Sequence, residues 1–317
     1  INCSNSPSKR HLGNKIASRT ILSYQTTFKK LKAFDTYCKK SHKPNEIDQN
    51  YYDSFLAFLE DQLYITNLNT QGESIRNLKT FLHQLSREGY EIHPFIKDNN
   101  FVIRREKAIT VAFDESELEQ LINVEFPEEK LKNFKNIRDL FIIGCKTGLR
   151  FSDLIRLTPD HIDDTGEYIT IIQHKTKAPI TIKMLPLVKE ILTERPPFKV
   201  GSSAFNENIK QISKDAGICR TVDGRIVEPI EIDGKEYHRL GKVKRIPKYK
   251  MVTSHTARRT FATIAIRRGV PVHTVMGVTG HKSTKDFYSY ISMEDTTKAD
   301  DFKLIFDRLA PKRDIQA

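Results

Sequence analysis

The sequence is short of the features that tie a chain to an oxidising compartment, a metal or a membrane. Four cysteines, Cys3, Cys38, Cys145 and Cys219, are scattered through 317 residues with no close pair. That spacing matches neither a zinc site nor a disulfide framework, and a reducing interior suits it. No apolar run approaches the roughly 18 residues a membrane span needs, and no signal-peptide pattern opens the chain, so a cytoplasmic protein is expected. Internal repeats and low-complexity tracts are missing too. The adjacent acids Glu128-Glu129, Asp163-Asp164 and Asp300-Asp301 fall at expected helix ends or loops. There, paired carboxylates are ordinary solvated charge, so neither a metal nor a cofactor is expected.

Acid itself is scarce. Aspartate and glutamate number 40 against 52 lysines and arginines, leaving a net charge of +12. An excess of that size favours a polyanionic partner, nucleic acid first, with a solvated basic surface as the plain alternative. The length accommodates two domains, each with its own core. The chain begins with Ile1 rather than methionine, which suggests a fragment lacking a natural N-terminal part.

Residues 1–17 are polar, basic and aperiodic, the pattern of a flexible arm. Helical spacing then sets in. Ile21, Tyr24, Phe28, Leu31, Phe34 and Tyr37 share one stripe, with Lys29, Lys30, Lys32, Lys39 and Lys40 on the other faces, and similar stripes recur over 51–62 and 71–86. Residues 18–92 are therefore expected to form a small all-helical domain. Periodicity fades over 93–110, which suits a linker, and a second domain is expected over 111–317. Its first helix starts at Asp114-Glu115-Ser116-Glu117, and another covers 132–146 with Gly148 as cap.

Period-two runs at 167–174 and 180–184 read as a hairpin with Lys175 at its tip, and helices return over 187–193 and 206–216. Two Asp-Gly pairs, Asp223-Gly224 and Asp233-Gly234, predict a three-stranded meander over 219–240. Its exit carries Lys242, Lys244, Arg245, Lys248 and Lys250 without an acid, a density that suits phosphate contact or a solvated charge run. A last amphipathic helix is expected over 296–309. The fold class is mainly α with small β-hairpins, an α+β arrangement.

Within this frame, one stretch concentrates chemistry. His255 and Arg258 lie three apart, so on a helix they share a face and can converge on one phosphate. Arg150 follows a glycine turn and precedes a new helix, a rigid base for a guanidinium, and Asp153 is placed to brace a neighbour or cap that helix. His281 is followed nine residues later by Tyr290. Singly, each has a bland reading as a surface arginine, a solvated lysine or a core aromatic; their order and context carry the signal.

That order resembles the tyrosine recombinase or phage-type integrase family, most closely integrases of bacterial, Bacteroides-type mobile elements. GCKTGLRFSDL is similar to its first arginine box, QHKTK to its hairpin lysine, SHTARRTFAT to its His-x-x-Arg box, and TGHKSTKDFYSYI to its Gly-His box and nucleophile. The resemblance implies a two-domain DNA clamp, a helical core-binding domain with a catalytic domain. It implies site-specific cleavage and rejoining of double-stranded DNA through a 3′-phosphotyrosyl link, for integration or excision of a mobile element, without metal or nucleotide.

By the same resemblance Tyr290 is the nucleophile, Arg150 and Arg258 the forked phosphate donors, and His281 a further donor. His255 takes the tyrosine proton, Lys175 is the general acid, and Asp153 orients its neighbours. Arg259 stands where many relatives have a histidine, and it joins the DNA-contact candidates. Tyr288 is the rival nucleophile, although two helical residues point about 200° apart. A homotetramer on DNA, accessory bending or excision factors, a nucleoid-associated place in a bacterium, and a further N-terminal arm-binding domain are also implied. A type IB topoisomerase-like relaxing enzyme and a non-catalytic DNA-binding accessory protein are the competing readings.

Overall fold

The computed structural model describes residues 16–291. The expected arm falls mostly outside this range, and the expected helix over 296–309 lies outside it altogether. The chain divides into two units, residues 1–108 with 225–242, and residues 109–224 with 243–317. No described helix is long and apolar enough to cross a membrane.

The first unit is built on α1 (Ser18–Tyr37), α2 (Gln49–Asp61) and α3 (Leu68–Arg87). Asp48 and Asn67 cap α2 and α3 by accepting backbone N–H groups that have no partner within the helix. Phe34, Phe55, Leu59, Ile75, Leu78 and Leu82 form the core. The expected apolar stripe of α1 is only partly used: Phe34 is buried, but Ile21 and Tyr37 are exposed. The α1–α3 seam is polar instead. Asn77 donates to the hydroxyls of Ser23 and Thr27, both at 2.9 Å, and Lys30 donates to Ser74 at 3.0 Å. Such pairs fix the register of two helices at little net gain in stability.

The stretch expected as a linker is partly core. Phe95, Ile96 and Phe101 are buried with the helices, and the chain beyond them is held by Tyr52 donating to the Val102 carbonyl at 2.7 Å and Asn69 donating to the Glu106 carbonyl at 3.0 Å. An adjacent pair and one residue five positions on are too few to show a period, which is why this packing left no sequence signal.

The second unit is centred on α5 (Leu131–Thr147), whose Leu140, Phe141, Ile142 and Ile143 are almost wholly buried. Around it lie α4 (Glu115–Ile122), α6 (Phe151–Leu154), α7 (Pro186–Glu194), α8 (Ser202–Asp215) and α9 (Ser254–Arg267). Asp114 and Glu117 form the capping box of α4. Strands β1 (Tyr168–Ile172) and β2 (Pro179–Lys183) pair antiparallel, sending Ile169, Ile171 and Ile182 into the core. Short helices α10 (Val272–Thr279) and α11 (Thr284–Tyr290) complete the described fold. Phe287 and Ile291 seat α11 in a small cluster with Ala262 and Val275.

The meander expected over 219–240 is corrected. Strand β3 (Thr221–Gly224) pairs with β6 (Lys244–Pro247), while β4 (Val227–Ile232) and β5 (Lys235–Leu240) form a separate hairpin turning at Asp233-Gly234. Asp223-Gly224 is the end of a strand rather than a turn, because β3 finds its partner twenty residues on and Asp223 sits opposite Arg245. The β4–β5 hairpin belongs to the first unit, where Tyr237 packs edge-on against Tyr64 and Arg225 pairs with Glu106 at 2.6 Å.

Candidate active site

Helix α5 ends where Gly148 takes a left-handed backbone (φ 68°), a conformation that costs an L side chain about 1–2 kcal/mol. The reversal places Arg150 at the start of α6. Its guanidinium donates to Gln173 Oε1 at 2.8 Å and to the Thr279 carbonyl at 3.3 Å. Arg258, on α9, is buried and donates to the Gly148 carbonyl. Its Nη2 meets no acceptor at hydrogen-bond geometry among the described residues, with the Tyr290 side chain near enough to act on its pKa. Burial, and then the charge of Arg150, lowers the Arg258 pKa to about 10, with Tyr290 and Asp153 acting against them. Among the described residues neither guanidinium is in an ion pair with a carboxylate, and a buried donor without a partner is costly. The pair is poised for an anion.

Asp153 is wholly buried, yet no salt bridge links it to Arg150 or Arg258. Its Oδ1 accepts the His174 backbone N–H at 2.8 Å and Arg156 at 3.4 Å, and Oδ2 has no partner among the described residues. It therefore braces the end of the hairpin beside Lys175 rather than capping α6. Lys175 is exposed in the turn between β1 and β2, where the Lys177 backbone N–H closes on the Gln173 carbonyl at 2.9 Å.

The N-terminus of α9 is held by Asn206 accepting the Ser254 N–H at 2.8 Å. His255 follows, exposed by surface area. Its pKa is nevertheless lowered, first by desolvation and then by Arg259, Arg258, Lys175 and Arg150. The cations around the ring disfavour a further positive charge on it. At neutral pH the ring is unprotonated.

Gly280 ends α10 in the left-handed region (φ 61°) and turns the chain into His281. Thr279 Oγ1 donates to the Val275 carbonyl at 2.7 Å and lies 2.8 Å from His281 Nδ1. This network assigns the proton to Nδ1 and leaves Nε2 an open lone pair. Desolvation, Arg258 and Arg150 together bring the His281 pKa down to about 4.

Tyr290 completes the group. Its ring lies 4.9 Å from that of His281, and the Arg259 guanidinium stacks over it at 4.7 Å. Its hydroxyl is 3.5 Å from the His255 carbonyl, the outer limit of a hydrogen bond. Burial raises its pKa against the pull of Arg258, Arg259 and Arg150, so attack by this oxygen requires a base. Tyr288 is 60% exposed.

The expected DNA contacts divide. Lys242, Lys244, Arg245 and Lys250 are exposed, although Arg245 is drawn to the Thr221 carbonyl at 2.7 Å and to Asp223 at 3.5 Å. Lys248 is corrected: it is 2% exposed, with Nζ 2.5 Å from Glu117 and the Phe113 ring beneath it, so no phosphate can reach it. Arg259 is corrected too, since its Nε holds the Tyr290 carbonyl at 3.2 Å and its face covers the ring. It belongs to the site around the tyrosine. Two residues went unnoticed in the sequence. Gln173 and Thr279 are both buried and both contact Arg150, and neither residue type is itself a signal.

The phage integrase family matches residues 112–296, and the phage integrase SAM-like domain matches residues 7–99. The chain belongs to the phage integrase family, and is a tyrosine-type site-specific DNA recombinase. It is 24% identical over 290 residues to tyrosine recombinase XerC of Rickettsia canadensis (strain McKiel), covering 88% of each chain. With tyrosine recombinase XerC of Staphylococcus epidermidis (strain ATCC 12228 / FDA PCI 1200) it shares 26% identity, over 84% of this chain and 85% of the relative. In fold it is similar to the Tn1549 transposon integrase solved with a circular intermediate DNA (TM-score 0.64, 14% identity, 94% and 96% of the two chains). It is also similar to a lambda integrase dimer bound to a core site (TM-score 0.60, 16% identity, 88% and 90%).

Proposed function

We propose that Tyr290 is the nucleophile of a DNA strand transfer that uses Arg150, Arg258, His255, His281 and Lys175. The tyrosine oxygen attacks the scissile phosphorus while the bond to the 5′-oxygen breaks. His255 accepts the phenolic proton, and Lys175 supplies one to the departing 5′-oxygen. The phosphate stays on Tyr290 as a 3′-phosphotyrosyl ester. A 5′-hydroxyl from another strand reverses the step, so the bond energy is conserved.

Charge develops on the non-bridging oxygens, and fixed guanidiniums are the donors suited to it. Bound phosphate also counters the cations that depress His281, so this ring can take up a proton and donate through Nε2. The observation that carries the reading is a buried Arg258 guanidinium, paired with no carboxylate among the described residues, set against a tyrosine of raised pKa, with Arg150 close enough to depress both the Arg258 and the Tyr290 pKa.

In this reading the chain acts on specific duplex sites at the ends of a mobile element of the Bacteroides type, as a tetramer whose protomers are joined through residues 296–309, with accessory DNA-bending or excision factors. The likeness of the four boxes supports the element class. A lambda integrase tetramer bound to a Holliday junction, similar in fold with a TM-score of 0.56, supports the assembly. The exposed Lys242, Lys244 and Lys250 are assigned to backbone phosphates.

The test uses a duplex selected from a random pool by the Tyr290→Phe chain, then nicked beside the cleavage point so that the freed end diffuses away. The wild-type chain should accumulate a covalent adduct, and Tyr290→Phe should bind without forming one. Strand joining between two such duplexes distinguishes recombination from relaxation of any supercoiled plasmid. Adduct formation by Tyr290→Phe, or relaxation without joining, would contradict the proposal.

A further inference from the structure

Gln173 is 1% exposed, at the end of β1 and two residues before Lys175. Its Oε1 accepts from Arg150 Nη1 at 2.8 Å and from Thr176 Oγ1 at 2.6 Å, while Nε2 has no partner among the described residues. The amide orientation follows from these contacts, since a flipped amide would set its NH2 against the guanidinium. One buried oxygen thus joins the guanidinium of Arg150 to the turn that carries Lys175. The far side of the same amide is walled by Gly280: a Cβ there would lie 2.9 Å from Oε1, 3.5 Å from Nε2 and 3.6 Å from Arg150 Nη2. Arg150 is gripped between Gln173 and the Thr279 carbonyl on the other wall of the same turn.

We infer that Gln173 is a positioning residue for strand cleavage, holding the Arg150 fork toward the scissile phosphate with Thr176 as the anchor of its own oxygen, an inference that rests on the function proposed above. A neutral amide suits this task. It accepts the guanidinium hydrogen bond without neutralising its charge, whereas a carboxylate would compete with the phosphate for it. Being buried, it does not touch the DNA. Its effect should appear only through the charge that Arg150 presents.

That dependence sets the experiment. Replacing one non-bridging oxygen of the scissile phosphate by methyl removes one negative charge, so the transition state needs one cation less. The full chain and its Gln173→Met variant are compared in covalent capture on the selected duplex, with a phosphodiester or a methylphosphonate at the scissile position. Gln173→Met should slow capture about 100-fold on the phosphodiester, the scale of a catalytic group displaced by about 1 Å. On the methylphosphonate it should fall within about threefold of wild type, with binding kept.

Thr176→Val, on a half-exposed turn residue, guards against a folding defect and should show the same pattern at about tenfold. Equal defects on the two substrates, or none on the phosphodiester, would overturn the inference. Absence of an adduct from the wild-type chain would instead overturn the function on which it rests.

Discussion

Glu117→Gln should be among the most destabilising single changes in the second unit, and the effect can be bounded from both sides. Glu117 is 7% exposed and Lys248 2% exposed, with 2.5 Å between their charged atoms. Burial already holds the Lys248 pKa below the usual lysine value despite the pull of Glu117. Removing one partner from a buried pair typically costs about 3–5 kcal/mol, because the other charge is left without compensation. Lysine escapes that cost by releasing its proton. At pH 7, from an ordinary pKa of about 10.4, release costs ~4.6 kcal/mol, which sets the ceiling.

A loss of about 4 kcal/mol lowers the urea midpoint by about 1.6 M if the slope is about 2.5 kcal/mol/M. The sign with pH follows from linkage. In Glu117→Gln the unfolded lysine binds more protons than the folded one between the depressed pKa and about 10.4, so stability recovers as pH rises through that window. Glu117→Leu combined with Lys248→Met should restore most of the loss, since a buried ion pair is often no more stable than an apolar pair of similar volume. Urea unfolding followed by far-UV circular dichroism at pH 7 and 9.5 measures all of this. A Glu117→Gln loss under about 1 kcal/mol, or one independent of pH, would show that Lys248 does not depend on Glu117 for its charge.

Two further outcomes follow from the turn after α10. Gly280→Ala places a side chain at φ 61° and within 2.9 Å of Gln173 Oε1, so it should cost about 1–2 kcal/mol in thermal unfolding and slow DNA cleavage by shifting Gln173; wild-type stability would contradict this. His281 should titrate near pH 4 in the free chain by NMR, and since its folded pKa lies below its unfolded value of about 6.5, its contribution to stability is complete above pH 6.5 and lost as pH falls toward 4. Bound DNA should raise that pKa, and an unchanged value would separate His281 from the phosphate.

Local chemistry made much of the fold legible. The capping box at Asp114 and Glu117 and the left-handed Gly148 mark the ends of α4 and α5 in the sequence itself. The boxes around Arg150, His255, Arg258, His281 and Tyr290 could be read because each is a short run of special residues. What stayed hidden depends on partners far along the chain. Lys248 sits in a basic run that looks solvated, and only the folding of Glu117 beneath it, 131 positions earlier, makes it structural. The Asp223-Gly224 signal is local, whereas the pairing of β3 with β6 is not. Gln173 is an ordinary residue at a strand end until Arg150 and Gly280 close around it.

The proposed function places the DNA on one particular tyrosine, and the adduct itself can be sequenced. Trypsin releases the peptide from Asp286 to Lys298, which holds both Tyr288 and Tyr290, and fragment ions place the attached nucleotide between them. A 3′-linked nucleotide on Tyr290 is the predicted result; one on the exposed Tyr288, or a 5′ linkage, would rule out Tyr290 as the nucleophile of a 3′-phosphotyrosyl transfer.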